Sequence, residues 1–282
     1  MSKIVYLNSK FVKFRDAKIH IEDRGLQFSD SVYEVVPVIN SKIIDFDYHI
    51  KRLKISLTEL SIKYKINKKN IHIIFKKLIK KNSILNGIIY FQITRGVQSR
   101  EHVYKKNLKP TIILYTQKKK FNMPSNNYKG YKAITFPDIR WARRDIKTTS
   151  LLPNILASNF ASKKGAYEAI LIKNNIVTEA THSNVWIIKN NTIYTHPSNS
   201  DILKGITRKV IKKIIKDEKL LFKEKSFTLK QLINADEVFI TSSGSLVTPI
   251  IQVDNKKINC PLCPGNEHML NPADLILIQK DI

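Results

Sequence analysis

The sequence predicts two mixed α+β domains, and three observations carry that expectation. At 282 residues the chain exceeds what one ordinary hydrophobic core organises and suffices for two. Strand-like runs and helix-periodic segments alternate in both halves of the chain. Between the halves, residues 118–127 are polar and broken by Pro124, which marks a linker. The expected layout is therefore a first domain over 1–117, a linker over 118–127 and a second domain over 128–282. With 43% hydrophobic and 9% aromatic residues, both halves can bury a core.

Each element follows from local pattern. Residues 4–7, 10–14 and 32–39 carry β-branched or alternating side chains, with turns at Asn8-Ser9 and Asn40-Ser41. Residues 47–60 and 67–81 read as helices. In the second, Ile71, Ile74, Phe75, Leu78 and Ile79 fall on one face, lysines take the opposite one, and Asn67 caps the start. Strands are expected at 87–94 and 111–116. Beyond the linker come a strand at 131–136, a helix at 151–163, short strands between Tyr167 and Tyr194, and a helix beginning near Gly205. A strand at 238–240 precedes the hydroxyl-rich turn Ser242-Ser243. No internal repeat is visible.

Composition removes several function classes. The N-terminus alternates polar and apolar residues and no apolar run reaches 18 residues, so a soluble, cytoplasmic protein without a membrane partner is expected. The net charge of +26 invites a nucleic-acid partner, but the lysines are spread along the whole chain without an arm or stripe, which describes a solvated surface. Cys260 and Cys263 form one C-x-x-C pair with no second pair to complete a four-sulfur zinc site, so no metal is expected.

One stretch is chemically odd. Arg140, Arg143 and Arg144 crowd Lys147, and neighbouring positive charge disfavours a protonated amine and favours a nucleophilic one. Against 40 lysines in all, this alone singles out little.

Five ordered segments say more: Glu22-Asp-Arg-Gly-Leu-Gln-Phe-Ser-Asp-Ser-Val-Tyr-Glu-Val-Val36, Tyr90-Phe-Gln-Ile-Thr-Arg-Gly96, Asp145-Ile-Lys-Thr-Thr-Ser-Leu-Leu152, Glu179-Ala-Thr-His-Ser-Asn-Val185 and Leu203-Lys-Gly-Ile-Thr-Arg208. Their order and spacing resemble the class IV aminotransferases, the fold type IV pyridoxal 5′-phosphate enzymes, and most nearly the bacterial D-amino acid aminotransferases. The resemblance implies a two-domain fold with the cofactor site between the domains. It implies that Lys147, in the second domain, bonds the cofactor and moves a proton, and that Glu179 faces the pyridine nitrogen. The phosphate falls to Arg52, Ile206, Thr207, Ser242 and Ser243, the helix after Gly205 offering its N–H groups, and Leu203 packs on the ring. Tyr33, Arg100 and His102 match the set that holds a substrate α-carboxylate. In the family the Arg-x-His loop reaches across from a second subunit, which implies a homodimer.

The implied reaction moves an amino group from D-alanine to 2-oxoglutarate, giving pyruvate and D-glutamate. Branched-chain aminotransferase, which usually lacks this Arg-x-His, and aminodeoxychorismate lyase are the alternatives within the family. A basic nucleic-acid-binding protein without catalysis is the alternative outside it. The chain also departs from the family pattern. Ser29 and Ser31 replace glycines, Ala180 replaces a glycine, His182 stands where small residues are usual, and Pro153 is unusual. These departures bear on substrate more than on cofactor.

Overall fold

The computed structural model describes residues 3–121 and 130–258. The cysteine pair and part of the expected linker lie outside the described residues. The chain divides into two compact units, residues 1–121 with 146–150, and residues 122–145 with 151–282.

The first unit is a six-stranded antiparallel sheet backed by two helices. It contains β1 (Ile4–Leu7), β2 (Lys10–Lys13), α1 (Arg24–Phe28), β3 (Ser31–Ile39), β4 (Lys42–Ile43), α2 (Phe46–Glu59), α3 (Lys68–Asn82), β5 (Gly87–Thr94) and β6 (Ile112–Lys118). The strand order is β2-β1-β6-β5-β3-β4. Alternation sorts the faces. Val32, Val36, Val38, Ile89, Phe91, Ile93 and Leu114 join Leu53, Leu57, Phe75 and Leu78 from α2 and α3 in one buried cluster. Tyr33, Tyr90 and Tyr115 occupy the opposite, half-buried face. Asn67 caps α3 as its sequence predicts, its side chain accepting from the Asn70 N–H at 3.1 Å.

The second unit is built on a mixed sheet. Its elements are β7 (Tyr131–Pro137), α4 (Leu152–Lys163), β8 (Glu168–Lys173), β9 (Ile176–Ala180), β10 (Asn184–Lys189), β11 (Thr192–Thr195), α5 (Ile206–Asp217), β12 (Phe222–Glu224), α6 (Leu229–Ile233), β13 (Glu237–Ser242), β14 (Leu246–Val253) and β15 (Lys256–Lys257). The order is β12-β11-β10-β13-β14-β7-β8-β9, with β15 beside β14. Val185, Ile187, Val238, Ile240 and Ile250 form its main core with Phe227 and Leu232. On α5, Ile206, Val210, Ile211, Ile214 and Ile215 recur at helical spacing and are all buried.

Two sequence expectations change. Strand β6 runs on through Lys118, the first residue of the expected linker. The segment that carries Lys147 is expected in the second domain, yet residues 146–150 cluster with the first unit. The cause is non-local pairing. Thr148 bridges Val32, the Tyr33 N–H donates to the Lys147 carbonyl at 3.0 Å, and the Thr149 N–H donates to the Ser31 carbonyl at 3.3 Å. The segment thus extends the sheet at the start of β3. Among the described residues no helix is long and apolar enough to cross a membrane.

Candidate active site

In the first unit the chemistry gathers at the start of β3. Lys147 has its carbonyl held by Tyr33, and its N–H donates to Ser56 Oγ at 3.3 Å, so both faces of its backbone are fixed. Its Nζ stands 4.3 Å from the centre of the Tyr33 ring, a cation–π distance. The Tyr33 ring stacks on Tyr90 at 5.5 Å and Tyr90 on Tyr115 at 4.9 Å. Ser29, where the family pattern has glycine, ends α1 in the left-handed region at φ 54, so the glycine preference of this position is real and serine adopts it under strain.

On the core face of β3, Glu34 is buried against α2. It accepts from Arg52 Nε and Nη2, both at 2.7 Å, and lies 2.7 Å from His49 Nδ1. Burial alone pushes the Glu34 carboxyl up. The Arg52 charge and hydrogen bonds, helped by His49, more than reverse that and hold it at about 2. Burial pushes the His49 imidazole down, towards its neutral form. Arg52 is thus oriented by a fixed carboxylate, a partner that its sequence motif does not reveal.

In the second unit the hairpin of β9 and β10 carries the acidic centre. Glu179 is buried, and its carboxylate accepts from Arg140 Nη1, from Asn184 Nδ2 at 3.2 Å and from the Leu203 N–H at 3.1 Å. Burial pushes its carboxyl up against the pull of Arg140. Asn184 also donates to the Leu203 carbonyl at 2.9 Å, which locks the 203–205 turn to the hairpin. A side chain at Gly205 would meet Asn184 Oδ1 at 2.2 Å and displace the amide that holds Glu179 and Leu203. No side chain caps α5, leaving its N-terminal N–H groups and the buried Thr207 hydroxyl at the positive end of the helix dipole. Asn184 pairs in register with Thr241, which brings Ser242 and Ser243 to the same end of the sheet. The Ser242 Oγ lies 2.7 Å from Ser245 Oγ.

An uncapped 12-residue helix start beside hydroxyls fits a phosphate dianion, and a buried carboxylate held in place by Asn184 and the Leu203 N–H fits a protonated pyridine nitrogen as its cationic partner. The residues therefore suit pyridoxal phosphate.

Other expectations shift. The three arginines near Lys147 are each met by carboxylates: Arg140 by Asp138 and Glu179, Arg143 by Asp145, and Arg144 by Asp138 and Asp201. Their charge is matched locally, so the argument that they activate Lys147 falls. Among the described residues no hydrogen bond or ring contact joins Arg100 or His102 to Tyr33. Both are exposed on a loop fixed to α1, where Arg24 donates to the carbonyls of Glu101 at 2.6 Å and His102 at 3.2 Å and their side chains lie against Phe28. The His182 side chain is 55% exposed with its Nδ1 3.2 Å from Glu168 Oε1, and its N–H donates to Glu168 at 2.7 Å. Glu168 itself, almost fully buried and also holding Thr181 and Ser183, escapes the sequence reading, as does Asn184. A carboxylate in the inward phase of the apolar strand β8 is the available signal.

Residues 31–253 match the family model for amino-transferase class IV. A D-alanine aminotransferase of Staphylococcus aureus is 40% identical over 257 residues, covering 90% of each chain. A branched-chain amino acid aminotransferase from T.th., solved with pyridoxamine 5′-phosphate, superposes with a TM-score of 0.87 at 22% identity, over all of this chain and 94% of its own. A putative 4-amino-4-deoxychorismate lyase of Legionella pneumophila superposes with a TM-score of 0.83 at 25% identity, over 95% and 96% of the two chains.

Proposed function

The chain belongs to the class IV aminotransferases, and on that premise we propose that it transfers the amino group of D-alanine to 2-oxoglutarate, giving pyruvate and D-glutamate. The observation that carries this reading is the 40% identity to D-alanine aminotransferase over nine-tenths of both chains. The Arg100-x-His102 pair supports it, because a guanidinium fork, an imidazole and the Tyr33 phenol make a carboxylate-binding set.

When bound, pyridoxal phosphate supplies the electron sink and carries the amino group between the two substrates. The protein supplies the rest. Lys147 holds the cofactor through Nζ and, once released, takes the proton from the substrate Cα. The Tyr33 ring and the fixed backbone on both sides of Lys147 restrict where that amine can stand. Glu179 keeps the ring nitrogen protonated. Ile206 and Thr207 at the start of α5, with Ser242, Ser243 and Arg52, hold the phosphate, and Leu203 packs on the ring. Glu34 fixes the Arg52 fork so that its charge is presented in one orientation.

The working unit is a homodimer in which Arg100 and His102 of the partner subunit reach the substrate carboxylate. Two features support this. Leu152, Ile155, Leu156 and Phe160 are exposed on α4, and Val97, Val103 and Tyr104 are exposed around Arg100, apolar surface that a second subunit would cover.

The test is product analysis with D-alanine and 2-oxoglutarate, resolving glutamate by chiral chromatography. Pyruvate and D-glutamate in equal amounts are expected. Turnover of L-leucine instead would replace the proposal with a branched-chain activity, and pyruvate from aminodeoxychorismate alone would replace it with a lyase.

A further inference from the structure

Ser31 occupies a position where the family pattern has glycine, and the structure shows what its added hydroxyl does. Ser31 is fully buried, and its Oγ lies 2.6 Å from Thr149 Oγ1, two residues beyond Lys147. The Gln92 Nε2 donates to the same Ser31 Oγ at 3.0 Å. Gln92 Oε1 in turn accepts from the Tyr90 hydroxyl at 2.9 Å, and Thr149 Oγ1 donates to the Ser29 carbonyl at 3.3 Å. The direction of the whole chain follows from its ends. Thr149 gives its proton to Ser29, so it accepts from Ser31, which accepts from Gln92, which accepts from Tyr90. Every hydrogen bond points the same way, an arrangement in which each strengthens the next.

We propose that Ser31, Gln92 and Thr149 form a hydrogen-bonded clasp that positions the Lys147 amine for proton transfer. The backbone bonds from Tyr33 to Lys147 and from Thr149 to Ser31 set the pairing of this segment with β3. The clasp adds a side-chain bond to that short pairing and ties it to β5 through Gln92. Without it, the pairing rests on those backbone contacts and the Thr148 bridge to Val32, and a short two-stranded pairing slips and frays readily. Tyr90 anchors the far end by stacking between Tyr33 and Tyr115, so the ring beneath the amine and the clasp behind it share one support. Among the described residues, no hydrogen bond joins any of the three side chains to Lys147 Nζ. They are positioning residues.

The inference rests on Lys147 being the cofactor-bonding lysine, and the test separates the two. Thr149→Val keeps shape and removes the hydroxyl, whereas Thr149→Ser keeps the hydroxyl. In cofactor-free protein, amide hydrogen exchange across residues 146–150 is expected to speed up about tenfold in Thr149→Val and in Ser31→Ala, and to stay at the wild-type rate in Thr149→Ser. In the loaded enzyme the first two variants lose about tenfold in kcat with the KM for D-alanine changed less than about twofold, and Thr149→Ser restores kcat. Unchanged exchange and unchanged kcat in Thr149→Val overturn the clasp. So does an equal loss in Thr149→Ser, which would assign the effect to packing. The Lys147→Ala variant is the control: if it retains the cofactor's visible band, the lysine assignment fails, whatever the clasp variants show.

Discussion

Glu179 shows how a single side chain is tuned by its setting. Burial pushes its carboxyl up, and the pairing with Arg140 and the hydrogen bonds from Asn184 and the Leu203 N–H pull the other way and favour the anion. Glu179→Gln keeps the shape and removes the charge that the ring nitrogen needs. We expect kcat to fall by about a hundredfold with bound cofactor retained, as read by steady-state rates beside the absorption of the cofactor. A loss under about threefold would remove Glu179 from its assigned role. Glu179 and Lys147 stand out in the sequence through motif order and not through local chemistry. The arginines beside Lys147 are matched by Asp138 and Asp145 from the same stretch and by Glu179 and Asp201 from further along the chain, and the last two pairings cannot be read from local sequence. Glu34 goes unread although it sits in the inward phase of a β-branched strand, with His49 and Arg52 three residues apart on the facing helix.

At the scale of elements, β3 and α2 share the buried Glu34 group, and its titration links stability to acid. The Glu34 carboxyl is held at about 2 in the folded chain, below its ordinary value, so its stabilising contribution is present above the ordinary carboxylate range and is lost as pH falls towards 2. His49 acts in the same direction. Its folded pKa is lowered, so the unfolded chain takes up the proton first as pH drops below the ordinary histidine range, and stability falls with pH there too. Urea unfolding at about pH 7 and about pH 3 should therefore show a stability loss that shrinks in Glu34→Gln. An equal loss in both proteins would contradict the linkage. A second prediction concerns the end of α1. Ser29→Gly relieves the left-handed serine and should raise stability by about 0.5–1 kcal/mol, seen as a higher midpoint of denaturation. Helix α3 is legible because its apolar positions repeat at helical spacing, and α1 is not, because five residues cannot display a period. The pairing of residues 147–149 with β3 is invisible for another reason. It joins positions more than a hundred residues apart, and no local pattern encodes such a partner.

At the scale of the whole molecule, the exposed Arg100 and His102 are proposed to serve the site of a neighbouring subunit. Coexpression of Lys147→Ala with Arg100→Ala, each inactive alone, tests this. If the arginine acts across the interface, mixed dimers regain one intact site and about a quarter of the sites work. If it acts within its own chain, the mixture stays inactive. The +26 charge is borne by lysines along the entire surface, and its expected consequence is attraction of the anionic 2-oxo acid, weakening with added salt. Whether Lys147 bonds pyridoxal phosphate for chemistry on D-amino acids is read directly by the visible absorption spectrum of the purified protein. A long-wavelength band is expected that is absent from Lys147→Ala and that disappears on adding D-alanine but persists with L-alanine. A band that persists in Lys147→Ala, or that L-alanine discharges while D-alanine leaves it intact, would contradict it.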